Sequence, residues 1–164
     1  MKKIIFTVAA LALLSTACKK SKDDPSPTSN KSSAELLSDH SWKLQSSMAD
    51  KQVDTDGDGT SSNNVYEQNE GCRNDDIINF TNSDKTEKSG TVDAGNSKCF
   101  GDIQTKAFTW KMLTENTVEV KGWFYYEQFT IDNFSIANTK MTVHFTTKDE
   151  NGLEYKQTDV YVKP

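Results

Sequence analysis

KAFTWKMLTENTVEVK, residues 106–121, decides the fold. Phe108, Trp110 and Met112 alternate with Thr109 and Lys111. Val118 and Val120 repeat the alternation after the polar break Thr114-Glu115-Asn116. A side-chain period of two places one set of residues on a buried face, and a break this short joins antiparallel neighbours. The segment therefore reads as two paired strands, Lys106 to Leu113 and Thr117 to Lys121.

The same signature extends in both directions. Upstream strands are expected at Ser41 to Ser47 (Trp42 and Leu44), at Asp75 to Thr81 (Ile77, Ile78 and Phe80) and, more polar, at Lys85 to Thr91. Downstream strands are expected at Tyr126 to Ser135, at Lys140 to Thr147 (Met141, Val143 and Phe145) and at Leu153 to Lys163. Prolines occur only at positions 25, 27 and 164, so none interrupts a strand. Eight successive strands with mostly short turns fit an all-β, antiparallel up-and-down barrel, because closure removes the exposed edges of an open sheet. Ser32-Ser33-Ala34-Glu35 has capping-box spacing and predicts a short helix ahead of the first strand.

The amino terminus has a different character. Lys2 and Lys3 precede an apolar run, Ile4 to Leu14, which is shorter than the roughly 20 residues a membrane-spanning helix needs. It reads as a signal peptide over residues 1–17. Ser15-Thr16-Ala17-Cys18 resembles the lipobox of bacterial lipoproteins, in which the cysteine is acylated, for example with palmitate. Cys18-Lys19-Lys20-Ser21-Lys22-Asp23-Asp24 resembles the Lys-Asp-Asp export signal of surface lipoproteins in Bacteroidetes-type bacteria. These resemblances imply an outer-membrane lipoprotein, exposed at the cell surface and anchored through Cys18. Residues 18–33 then form a flexible tether and 34–164 the barrel domain.

Removing Lys2 and Lys3 with the signal takes the formal net charge from −5 to −7, and the chain has one arginine, Arg73. That balance excludes a basic face for nucleic acid. The expected protein is a monomer whose membrane attachment comes from lipid. Three cysteines are present, Cys18, Cys72 and Cys99. With Cys18 acylated, the other two are expected to pair in an oxidising compartment. The bridge would close a loop of roughly 28 residues and contribute on the order of 3–4 kcal/mol on a chain-entropy model. In an up-and-down barrel both cysteines fall in connections at the same end.

The helix, "LLSDHSWKL", "DTDGDG", "CRNDDIINF", the second cysteine ahead of "FTWKM" and the closing "MTVHF" together resemble the lipocalin-like domain of Bacteroidetes lipoproteins, over about Ala34 to Lys163. The resemblance implies a calycin-like barrel and an extracytoplasmic binding role. His40 stands where true lipocalins carry the glycine of Gly-x-Trp, and no arginine is available on the last strand.

Two clusters are candidate sites. Asp54, Asp56 and Asp58, followed by Gly59, give the D-x-D-x-D-G spacing of a calcium loop, although Val65 stands where an EF-hand places its bidentate glutamate. Two readings stay open: a calcium site completed by Glu67 or Glu70, or a solvated Asp/Gly turn. The second cluster is Trp123, Phe124, Tyr125 and Tyr126. Strand alternation can bury only every second residue of such a run, so part of it would face a ligand, a partner or solvent.

Little in the sequence points to catalysis. His40 and His144 have no nucleophile beside them, and neither a Gly-x-Ser-x-Gly elbow nor a phosphate-binding glycine loop is present. The sequence therefore favours a non-catalytic protein that holds a small molecule or glycan in its barrel. The alternative is a structural lipoprotein with a filled barrel that docks an envelope protein.

Overall fold

The computed structural model describes residues 31–68, 71–98, 101, 103–123 and 127–164. Helix α1 (Ser33–Ser38) begins as its sequence requires. The Ser32 side chain accepts from the Glu35 amide at 3.3 Å, and the Ser32 amide donates to the Glu35 carboxylate at 2.7 Å. Hydrogen bonds from the Ser32 side chain and backbone hold that carboxyl below its ordinary range. The helix points Leu37 into the core, and its Leu37 carbonyl accepts from Trp42 Nε1 at 2.7 Å.

The strands are β1 (Ser41–Val53), β2 (Ser62–Asn64), β3 (Ile77–Phe80), β4 (Lys88–Asp93), β5 (Thr105–Thr114), β6 (Thr117–Lys121), β7 (Gln128–Ala137), β8 (Lys140–Lys148) and β9 (Glu154–Val162). Each neighbouring pair is antiparallel, and β1 also pairs with β9. Strands β1 and β3–β9 thus close an eight-stranded antiparallel barrel, as the alternation required. The ends of β1 have different partners on one edge: residues 41–43 pair with β3, whereas Met48 and Val53 pair with β2.

Most strands lie within a few residues of the sequence expectation, and three differences have physical causes. Strand β1 runs six residues past Ser47, because its second half has β9 on one edge and β2 on the other. The long β1–β3 connection contains β2 and the single-turn helices α2 (Val65–Gln68) and α3 (Gly71–Asn74), which the alternation of apolar residues does not announce. Strand β3 begins two residues later than expected, because the Asp75 carboxylate is engaged by the Asn96 and Ser97 amides.

Inward residues fill the barrel. Trp42 is 0% and Trp110 1% exposed, and they share one cluster with Leu37, Ile78, Phe80, Val92, Phe108, Val118, Val120, Phe134, Met141 and Val143. Phe80 meets Phe108 and Trp110 edge-on, both with ring centroids 5.4 Å apart. Such T-shaped contacts favour aromatic packing beyond the area they bury. Trp110 Nε1 donates to the Ser89 carbonyl at 2.9 Å, so the indole is buried without an unsatisfied donor. A smaller cluster, Ala49, Val53, Val65 and Tyr155, packs α2 against the β1 extension.

Candidate functional site

An antiparallel closed barrel gathers alternate connections at one end. Here that end carries the β1–β3, β4–β5, β6–β7 and β8–β9 connections. The acidic loop, α3 and Trp123 therefore share a rim. Helix α1 belongs to the other end.

Residues 54–60 form a folded turn around Asp54. Its side chain is buried, with Oδ1 accepting from the Gly57 amide at 2.8 Å and Oδ2 from the Gly59 amide at 3.0 Å. Both glycines have positive φ, 74° and 85°, which brings their amides round to one carboxylate. Asp58 Oδ1 accepts from the Thr60 amide at 2.6 Å, and Asp56 Oδ1 from the Asp58 amide at 3.4 Å. Gln68, at the end of α2, accepts from the Thr55 amide and hydroxyl at 2.8 and 3.0 Å. The loop also joins the β8–β9 turn, where the Glu150 amide donates to the Asp54 carbonyl at 3.2 Å.

One oxygen from each of Asp54, Asp56 and Asp58 lies within 4.8 Å of the others, so the three carboxylates converge as their spacing suggests. Gln68 is the α2 side chain bonded to the loop; Glu67 is exposed, and Glu70 lies outside the described residues. Backbone amides already fix each aspartate, which is the arrangement an Asp/Gly turn needs without a cation. The expected result is that melting curves in millimolar calcium and in chelator coincide. A rise of several degrees in calcium would instead identify a bound cation, through its mass-action stabilisation of the folded state.

The β4–β5 connection is also held by a carboxylate. Asp75 Oδ2 accepts from the Asn96 and Ser97 amides at 2.7 and 3.0 Å. Asp93 Oδ1 accepts from the Gly95 amide at 3.0 Å and from Gln104 Nε2 at 2.7 Å. These contacts give the acidic residues of the rim structural work in shaping its loops.

Of the aromatic run, Trp123 is half-buried. Its ring packs 4.9 Å from that of Phe108 and edge-on at 5.6 Å from that of Phe129, and its carbonyl accepts from Lys106 Nζ at 3.0 Å. It extends the core towards the rim. Phe124, Tyr125 and Tyr126 lie outside the described residues, as do Cys18 and Cys99. Cys72, on α3, is a disulfide-bonded cysteine, and the expected pairing with Cys99 falls outside what is described. His144 faces outward and meets Thr158 Oγ1 at 3.0 Å, and His40 stands edge-on to Trp42.

Two features had no signal in the sequence. One is a pair of clefts, about 350 and 460 Å³, flanking α1 at the end away from the acidic loop, with Leu36, Phe134 and Ile136 in the first and Met112 and Leu113 in the second. They lie between α1 and the β5–β6 hairpin or β7, so no strand pattern alone reveals them. The other is a group of polar side chains on β1 and β9 within the barrel wall, Ser47, Gln157 and Asp159. No protein-family model matches the chain, and no curated protein matches it.

Proposed function

We propose that the chain is a non-catalytic, extracytoplasmic lipoprotein of the lipocalin-like kind, anchored to the outer membrane through Cys18, that binds through its rim and not its lumen. The carrying observation is the filled interior. Trp42, Trp110, Phe80 and Phe108 occupy the space in which an eight-stranded barrel would otherwise hold one small ligand. This favours docking of an envelope partner by the loop end, where an acidic turn, α3 and Trp123 are presented together. A Cys72–Cys99 bridge would tie the β1–β3 and β4–β5 connections into one rigid surface. The second reading, a glycan or small molecule stacked on the run Trp123–Tyr126, uses the same rim and is supported by the aromatic content of that loop.

Capture from envelope extracts tests the docking reading when it is paired with a rim variant. Asp56→Lys/Asp58→Lys reverses two exposed charges and is expected to abolish retention of a partner that the unaltered protein holds. A melting screen with lipids, haem-like compounds and oligosaccharides should leave Tm unchanged. A shift of several degrees with one of these compounds, together with partner retention that ignores the charge reversal, would overturn docking in favour of a ligand site. Independently, Cys18→Ser should release the protein from the membrane fraction.

A further inference from the structure

The pairing of β1 with β9 is what turns this sheet into a barrel, and its inward face carries a continuous polar ladder. Tyr155 OH donates to Gln157 Oε1 at 3.0 Å. Gln157 Nε2 donates to Ser47 Oγ at 2.8 Å and to Asp159 Oδ1 at 2.9 Å. Tyr161 OH approaches Asp159 Oδ2 at 3.4 Å. Ser47 on β1 is the cross-strand partner of Asp159, and Val143 is its partner on β8. Ser47 is 0% and Asp159 6% exposed.

Among the described residues, no cation compensates Asp159. The inward neighbours on β1 are Ser47 and Ala49, and those on β8 are Met141, Val143 and Phe145. On β9 the other inward titratable groups are the neutral phenols Tyr155 and Tyr161. Lys43, Asp50, Lys140, His144, Lys148, Glu154 and Lys156 alternate to the outer face. Lys51 is exposed and donates to the Glu154 carbonyl at 2.8 Å. The inward aliphatic and aromatic residues of β3–β7 add no charge to the interior.

We propose that the β1–β9 seam is a proton-dependent closure, in which Asp159 is carried as the uncharged acid within the Tyr155–Gln157–Ser47–Tyr161 ladder and its ionisation loosens the barrel at its closing edge. An ionised carboxylate here would be desolvated and would face only neutral donors, an unfavourable state for a buried charge. Burial accordingly raises the carboxyl above its ordinary range, against the opposing hydrogen bonds of Ser47, Gln157 and Tyr161. An acid whose folded pKa lies above its unfolded value of about 3.9 binds more protons when folded. Its contribution to stability is fully present below about pH 3.9 and is lost as pH rises through the folded value.

The test compares the purified full-length protein with Asp159→Asn, which removes the charge at constant shape, across pH 4.5 to 8. Other carboxylates titrate in both proteins and cancel in the difference. The Tm of Asp159→Asn minus that of the unaltered protein is expected to grow by about 4 °C or more between the two pH limits. A difference that stays constant with pH would overturn the proposal. Should the variant fail to fold, the carboxyl carbon resonance of Asp159 in the unaltered protein decides. A protonated signal at pH 6 supports the closure, and an ionised one overturns it.

Discussion

Trp42→Ala is expected to destabilise the protein by about 3–5 kcal/mol, the range for removing a buried tryptophan from a packed core. Trp42 is 0% exposed and lies where three pieces of structure meet. Its strand pairs with β3, its ring belongs to the main cluster, and its Nε1 donates to the Leu37 carbonyl of α1. The substitution leaves a cavity and also orphans the carbonyl that anchors the helix. For a domain whose total stability is on the order of 5–15 kcal/mol, that loss lowers the unfolding midpoint in urea strongly, and at the lower end of the range brings it close to zero denaturant. Trp42→Phe separates the two effects. It retains most of the ring and forfeits the donor, so a cost of about 1–3 kcal/mol is expected, with faster amide exchange confined to α1. If Trp42→Ala shifted the midpoint no more than an exposed substitution such as Thr146→Ala, the barrel interior would not be the packed core described above.

How far the sequence revealed this arrangement depended on where apolar residues alternate. Thr117–Lys121 was legible to the residue because Val118 and Val120 are flanked by a turn and by Gly122, and the capping box fixed the start of α1. Strand β2 was invisible. Ser62-Asn63-Asn64 has no apolar alternation, and its pairing exists only because β1 overhangs the barrel. The polar seam was hidden for a related reason. Gln157 and Asp159 occupy inward positions of a correctly expected strand, but a pattern of hydrophobicity scores buried polar residues as outward. At the rim, the spacing of Asp54, Asp56 and Asp58 did announce their convergence. It did not announce that Asp54 would be buried and engaged by two glycine amides, since that depends on positive φ at residues 57 and 59.

Gly90→Ala is the second substitution expected to be severe, and for the opposite reason. Gly90 is buried in mid-strand, opposite Phe80 on β3 and Phe108 on β5. A Cβ at this position would lie 2.2 Å from Phe108 Cζ, 2.5 Å from Cε2 and 2.7 Å from the Asn79 carbonyl oxygen. The aromatic ring therefore occupies the space a side chain would take, which explains why a residue unfavourable in strands is placed in the centre of this one. Phe108 has little freedom to yield, because it packs against Phe80 at 5.4 Å and Trp123 at 4.9 Å. The Asn79 oxygen belongs to the backbone of β3 and yields even less. Overpacking of this kind costs roughly 1–3 kcal/mol, and contact with two neighbours at once places Gly90→Ala at or above the upper end. The cause is separable by a double-mutant cycle with Phe108→Leu. That change alone should destabilise, yet it removes the ring atoms in conflict, so Gly90→Ala in the Phe108→Leu background should cost at least about 1 kcal/mol less than in the unaltered protein. Strict additivity in urea unfolding would show that the penalty comes from the Asn79 carbonyl and the strand backbone, and that Phe108 does not select glycine at position 90.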